Sequence, residues 1–138
     1  MKHIIPVLAL ALLAFACKTS DKNKTQNNVN STQLTGTITK LDRMALPPNA
    51  EVYLRLDDVS RADAPSVMIA EKTFPTEGKQ VPISFELPYD ATKIDPRMRY
   101  NIMAQIRVDG ATLYRTTRAY PVINNGETQN LELLLDRQ

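Results

Sequence analysis

The chain of 138 residues has no tryptophan, one cysteine, one histidine and four glycines. Each shortage excludes some chemistry. Cys17 has no second cysteine to pair with, so no internal disulfide staples the fold. The one histidine, His3, lies in an apolar leader. Beyond Cys17 there is therefore no imidazole for general base work near neutral pH, no thiol nucleophile and no soft metal ligand. Gly36, Gly78, Gly110 and Gly126 fall in no GxGxxG or GxxxxGK run, and no GxSxG occurs. This inventory predicts a protein that is not an enzyme and holds neither cofactor nor metal.

What is present begins with the leader. "MKH" supplies a basic start, and the run "IIPVLALALLAFA" (4–16) is apolar but shorter than the about 20 residues a spanning helix needs. It ends in "LAFAC". Small Ala14 and Ala16 precede Cys17, a pattern that resembles the lipobox of bacterial lipoproteins, with Ala14 where leucine is usual. The resemblance implies cleavage after Ala16, which makes 1–16 a signal peptide, and acylation of Cys17, with two or three chains giving stable anchorage. Lys18, rather than Asp, follows the cysteine. By the family's sorting rule that implies the outer membrane, with the domain in the periplasm. The segment "KTSDKNKTQNNVNST" (18–32) has one apolar side chain, Val29, too few to offset the entropy of ordering it. Residues 17–32 therefore read as a lipidated, flexible tether whose end-to-end distance is on the order of 20 Å.

Residues 33–138 form one domain by length. Four of the 17 basic residues and one of the 15 acidic residues precede residue 33, which leaves this domain at −1. No basic face is available for nucleic acid.

Alternation with a period of two dominates the domain. Val52, Leu54 and Leu56 oppose Tyr53, Arg55 and Asp57; Ile83, Phe85 and Leu87 oppose Ser84 and Glu86; Ile102, Ala104 and Ile106 oppose Asn101, Gln105 and Arg107. Leu131, Leu133 and Leu135 repeat the pattern, and 33–41, 66–74 and 111–119 carry weaker versions of it. Breaks at "LPPNA", "TEGKQ", "DPRM" and "NNGET" separate the runs. Asp109-Gly110 predicts a two-residue type I′ hairpin. Its register would pair Ala104 with Arg115 and place that arginine either beside a bulge or, the preferred reading, at the rim of the core. The expected architecture is all-β: an antiparallel sandwich of about seven strands, immunoglobulin- or transthyretin-like, with Phe85 and Ile102 in one core.

"DDVSRADAPS" (57–66) gathers Asp57, Asp58 and Asp63. A calcium loop of the EF-hand kind would need a central glycine and a closing glutamate. Both are missing, so the stretch reads as a strand end followed by a turn that the Asp63 side chain caps.

The same stretch carries a second likeness. "DVSRADAPSVMIAEKTFPTEGKQVPISFELPYD" (58–90), with "RVDGATLYRT" and "YPVINNGET" after it, resembles the YbaY/YscW lipoprotein family. The ADAP, TEGKQ, F-x-LP and PVIN segments carry the resemblance over 34–136. It implies a lipid-anchored, non-enzymatic β-domain whose relatives include pilotins, lipoproteins that carry a secretion-system subunit to the outer membrane. The partners implied are the membrane, through Cys17, and an envelope or secretion-system client protein. A client strand could add to an open sheet edge, expected at Ile38 in 34–41 or Ile69 in 66–74 and guarded by Lys40, Lys72 and Pro75. The competing reading is an envelope glycan or ligand binder using Tyr53, Tyr89 and Tyr114.

Overall fold

The alternating runs fold as strands in the computed structural model, which describes residues 31–138. Ala16 and Cys17, the expected signal peptide and most of the expected tether lie outside the described residues; Ser31 and Thr32, expected in the tether, already belong to the first strand. In chain order the strands are β1 (Ser31–Lys40), β2 (Glu51–Asp58), β3 (Val67–Pro75), β4 (Ile83–Asp90), β5 (Tyr100–Val108), β6 (Ala111–Arg115), β7 (Pro121–Val122) and β8 (Leu131–Arg137). Short 3₁₀ turns follow β4 and β7. The two-residue β7, which the sequence did not suggest, pairs with β5.

The fold is one curved sheet, not the expected two-layer sandwich. Its order is β3-β2-β5-β6-β8-β1-β4. Pairs Tyr114–Arg137 and Arg115–Asp136 join β6 to β8, and β8 runs parallel to β1, so pairing passes without a break from one expected layer into the other. The result is a nearly closed, barrel-like sheet with one gap, between β3 and β4. Alternation alone could not separate the two architectures, because a sandwich and a barrel bury the same face of every strand.

The inward face is the one the alternation assigns. Val52, Leu54, Leu56, Phe85, Leu87, Ile102, Ile106, Leu133 and Leu135 form one buried cluster, so Phe85 and Ile102 do share a core. Each such side chain contributes about 1.5–3 kcal/mol relative to exposure. The hairpin at 109–110 has positive φ at both residues, 51° and 80°, as a type I′ turn requires. Its register departs from expectation. Val108 pairs with Ala111, but a bulge then pairs Ile106 with Tyr114 and Gln105 with Arg115. The extra residue turns Tyr114 into the core and Arg115 out to solvent, so the bulge, and not the rim position, resolves the arginine.

The loop entering β5 is held by its own charges. Asp95 Oδ1 accepts the Arg97 main-chain N–H at 2.9 Å, and Oδ2 accepts from the Arg97 guanidinium at 2.8 Å. The Arg97 side chain, then its N–H, hold the Asp95 carboxyl down at about 2 from an ordinary 3.8. A depressed carboxylate stabilises the folded state above its unfolded pKa and loses that contribution as pH falls through the folded one. The loop should therefore keep its contact above pH 4 and lose it between about 4 and 2. A carboxyl-carbon NMR titration should place the Asp95 midpoint near the lower limit and move it upward in Arg97→Ala; an unmoved midpoint would contradict the assignment.

Candidate functional site: an open seam

β3 and β4 follow one another in the chain through residues 76–82, an arrangement that ordinarily makes a hairpin. Here each pairs only with its other neighbour, β3 with β2 and β4 with β1. The side of each strand left open can be read from two hydrogen bonds. Thr76 N–H donates to the Ala50 carbonyl at 2.9 Å. Hydrogen-bonded pairs recur at every second residue of an antiparallel ladder, so Phe74, Lys72 and Ala70 also turn their main chain towards β2. Glu71, Thr73 and Pro75 then turn theirs to the gap. Across it, Lys72 Nζ donates to the Glu86 carbonyl at 2.9 Å. By the same alternation Ser84, and flanking Pro82 and Pro88, face the gap too.

Prolines are what prevent closure. Pro75 on β3 and Pro82 and Pro88 at β4 have no N–H to give a cross-seam ladder, the usual property of strand edges. Between the edges lies a groove of about 530 Å³, lined by Lys72, Phe74, Thr76, Ile83, Phe85 and Glu86 among others. Thr76 is 2% exposed, and its Oγ1 has no hydrogen-bond partner among the described residues. The Lys72 ammonium sits 5.7 Å from the Phe74 ring centre, so an inward-facing charge plugs the groove. The groups gathered here are amides, carbonyls, an ammonium and apolar rings. Such groups can pair with and pack against an extended polypeptide.

Of the two edges expected from the sequence, one exists. Ile69 lies in β3, whose far side is open, and is itself the bulged residue: Leu56 pairs with Ala70 and Asp57 with Met68, leaving Ile69 unmatched. Ile38 is fully buried in β1, which is paired on both sides, so it lines no edge. Lys40 guards no edge either. Its side chain is 2% exposed, and its ammonium contacts Asp42 and the Met44 carbonyl, with the Tyr114 ring beneath it. Tyr114 donates its hydroxyl hydrogen to Asp42 at 2.9 Å. The Lys40 contact holds the Asp42 carboxyl below the usual range, and burial pushes the Tyr114 hydroxyl up. This cluster fixes the 41–46 loop. The second edge, on β4, escaped the sequence reading; the recurrence of proline at 82 and 88 was its signal.

The three loop aspartates diverge. Asp57 is buried and pairs with Arg55 Nε at 2.7 Å. Asp58 accepts the Ser60 N–H at 2.9 Å, so it and not Asp63 caps the turn. Asp63 is exposed. Among the described residues no three His, Cys, Asp or Glu side chains come together as a metal site. The aromatic platform also fails to assemble: Tyr89 and Tyr114 are buried, and Tyr53 is covered by Arg107 at 3.7 Å and bonded to Glu71 at 2.8 Å.

Comparison with known proteins places this geometry. The chain is 37% identical, over 92% of its length and 74% of the relative's, to the uncharacterized lipoprotein YbaY of Escherichia coli strain K12. It superposes, with a TM-score of 0.72 and 39% identity, on an alternative pilotin from the type II secretion system of Vibrio cholerae, covering 78% of this chain and 99% of that one. Residues 29–135 match the model of the type III secretion system lipoprotein chaperones. That last match covers most of the chain, so the chain belongs to the YscW lipoprotein chaperone family.

Proposed function

We propose that this protein is a non-enzymatic lipoprotein chaperone that holds an outer-membrane or secretion-system protein during its assembly. The observation that carries this reading is the family match, which spans nearly the whole described domain. The anchor is Cys17, acylated after removal of residues 1–16, and the part of the expected 17–32 tether that precedes β1 holds the domain in the periplasm beneath the outer membrane. The division of labour is physically economical. Acyl chains supply localisation, the tether supplies reach, and the domain need only recognise a segment of its client.

Replacing Cys17 by Ser should abolish incorporation of a palmitate analogue and move the protein out of the membrane fraction. A strain lacking the protein should show a depleted outer-membrane protein or multimer, restored by the wild-type chain and not by Cys17→Ser. Wild-type protein that takes no lipid label would sink the anchor. An unchanged outer-membrane proteome in the deletion strain would sink the chaperone reading. The buried positions of Tyr89 and Tyr114 leave the glycan alternative without its stacking surface.

A further inference from the structure

Three features of the described surface invite a role: the seam, the Lys40–Asp42–Tyr114 cluster, and exposed Leu41 and Met44 beside it. The cluster is internally satisfied, and nothing shows what would cover the two apolar side chains. The seam differs from both, because unmet hydrogen-bonding capacity is concentrated there.

We propose that the β3 and β4 edges, which now approach within 8 Å in places, part to about two strand spacings, ~9.5 Å, and receive one extended segment of the client as an inserted strand, which pairs with both edges at once and completes the barrel. This rests on the chaperone reading above. Adding a strand to one edge would leave the other unmet, whereas insertion meets Glu71 and Thr73 on one side and Ser84 and Glu86 on the other. Because β3 and β4 run in opposite directions, the inserted strand is parallel to one and antiparallel to the other. The buried and unpartnered Thr76 Oγ1 lines the same groove and offers a further donor and acceptor to the segment.

Side chains set the sequence class. Alternate residues of an inserted strand face inward. One of them meets Phe74 and Phe85 and should be apolar. When a client N–H takes the Glu86 carbonyl, the Lys72 ammonium loses its present acceptor. The inserted strand would shield that ammonium from water, and a shielded ammonium without a partner is costly, so the inward residue two positions along should be Asp or Glu. The segment recognised is therefore extended, with an apolar residue and a carboxylate two apart.

The experiment places a photo-crosslinking benzoylphenylalanine at Thr73, at Ser84 and, on the doubly paired β6, at Arg115 of the full-length lipoprotein in cells. The crosslinked peptides are then sequenced. Thr73 and Ser84 should capture the same short segment, carrying the apolar-x-acidic pattern, and Arg115 should not. Thr73→Pro removes a seam donor without touching the β2 ladder. It should lower capture at Ser84 at least tenfold while the melting temperature stays near wild type, and Thr73→Val should retain capture. Undiminished capture in folded Thr73→Pro, or different segments at Thr73 and Ser84, would overturn the insertion. Capture of a client at Arg115 alone would overturn it too and leave the chaperone reading standing. No capture anywhere, together with an unaltered outer-membrane proteome in the deletion strain, would overturn both.

Discussion

Phe85→Ala should lower the free energy of unfolding by about 3–5 kcal/mol, out of the roughly 5–15 kcal/mol typical of a whole domain. Phe85 is 3% exposed, belongs to the main core cluster and stands opposite Gly36 on β1. Its ring also forms part of the seam floor. Truncation would leave a cavity that opens towards the groove and fills partly with water, which favours the lower half of that range. Ser84→Ala, one residue away on the exposed face, should change stability by no more than about 0.5 kcal/mol. Urea denaturation of the two variants decides the matter. A Phe85→Ala midpoint equal to wild type would mean that the inward face of β4 is not what holds it.

Gly36→Ala should be comparably damaging for the opposite reason. A Cβ on Gly36 would sit 2.1 Å from the Leu131 carbonyl oxygen and 2.8 Å from the Leu131 Cβ. Both atoms belong to β8 or its side chain, and the oxygen cannot rotate away. Overpacking costs about 1–3 kcal/mol where side chains can yield, and more where backbone must move. The parallel β1–β8 pair would have to separate, so amide exchange should accelerate along β8 as a unit. Wild-type stability in Gly36→Ala would show that the two strands have more room than this spacing allows.

The strands most legible in the sequence were those whose inward positions are all apolar. In β4 the buried and exposed residues alternate without a fault from Ile83 to Tyr89, and β2 and β5 follow their predicted faces except at Asp57, which is buried beside the β2–β3 bulge. β1 was misread because its inward positions 34, 36, 38 and 40 hold Leu, Gly, Ile and Lys. Glycine is there for a close backbone approach, and lysine for a buried ion pair. Both erase the alternation, so a doubly paired strand looks like an edge. β3 looks much the same, with Ala70, Lys72 and Phe74 on its inner face, and it is an edge. Local sequence cannot separate the two cases, because which strands become neighbours is decided by chain closure across the whole domain. The Leu113 region shows the same limit on a smaller scale: the turn at Asp109-Gly110 was readable, but the bulge beyond it was not. Half the seam was visible through Ile69, Lys72 and Pro75. The β4 half was hidden by the cleanest alternation in the chain.

The place of β8 bears on how such a protein is made. It lies between β6 and β1, and its partner β1 comes from the other end of the domain. Until Leu131–Arg137 emerge, β1 and β4 can form only a two-stranded ribbon, which is marginal in water, and β6 has nothing beyond it. β3, β2, β5 and β6 can pair without β8, but the barrel cannot close ahead of the last strand. Closure is committed late, by a pairing between first and last strands that spans nearly the entire domain.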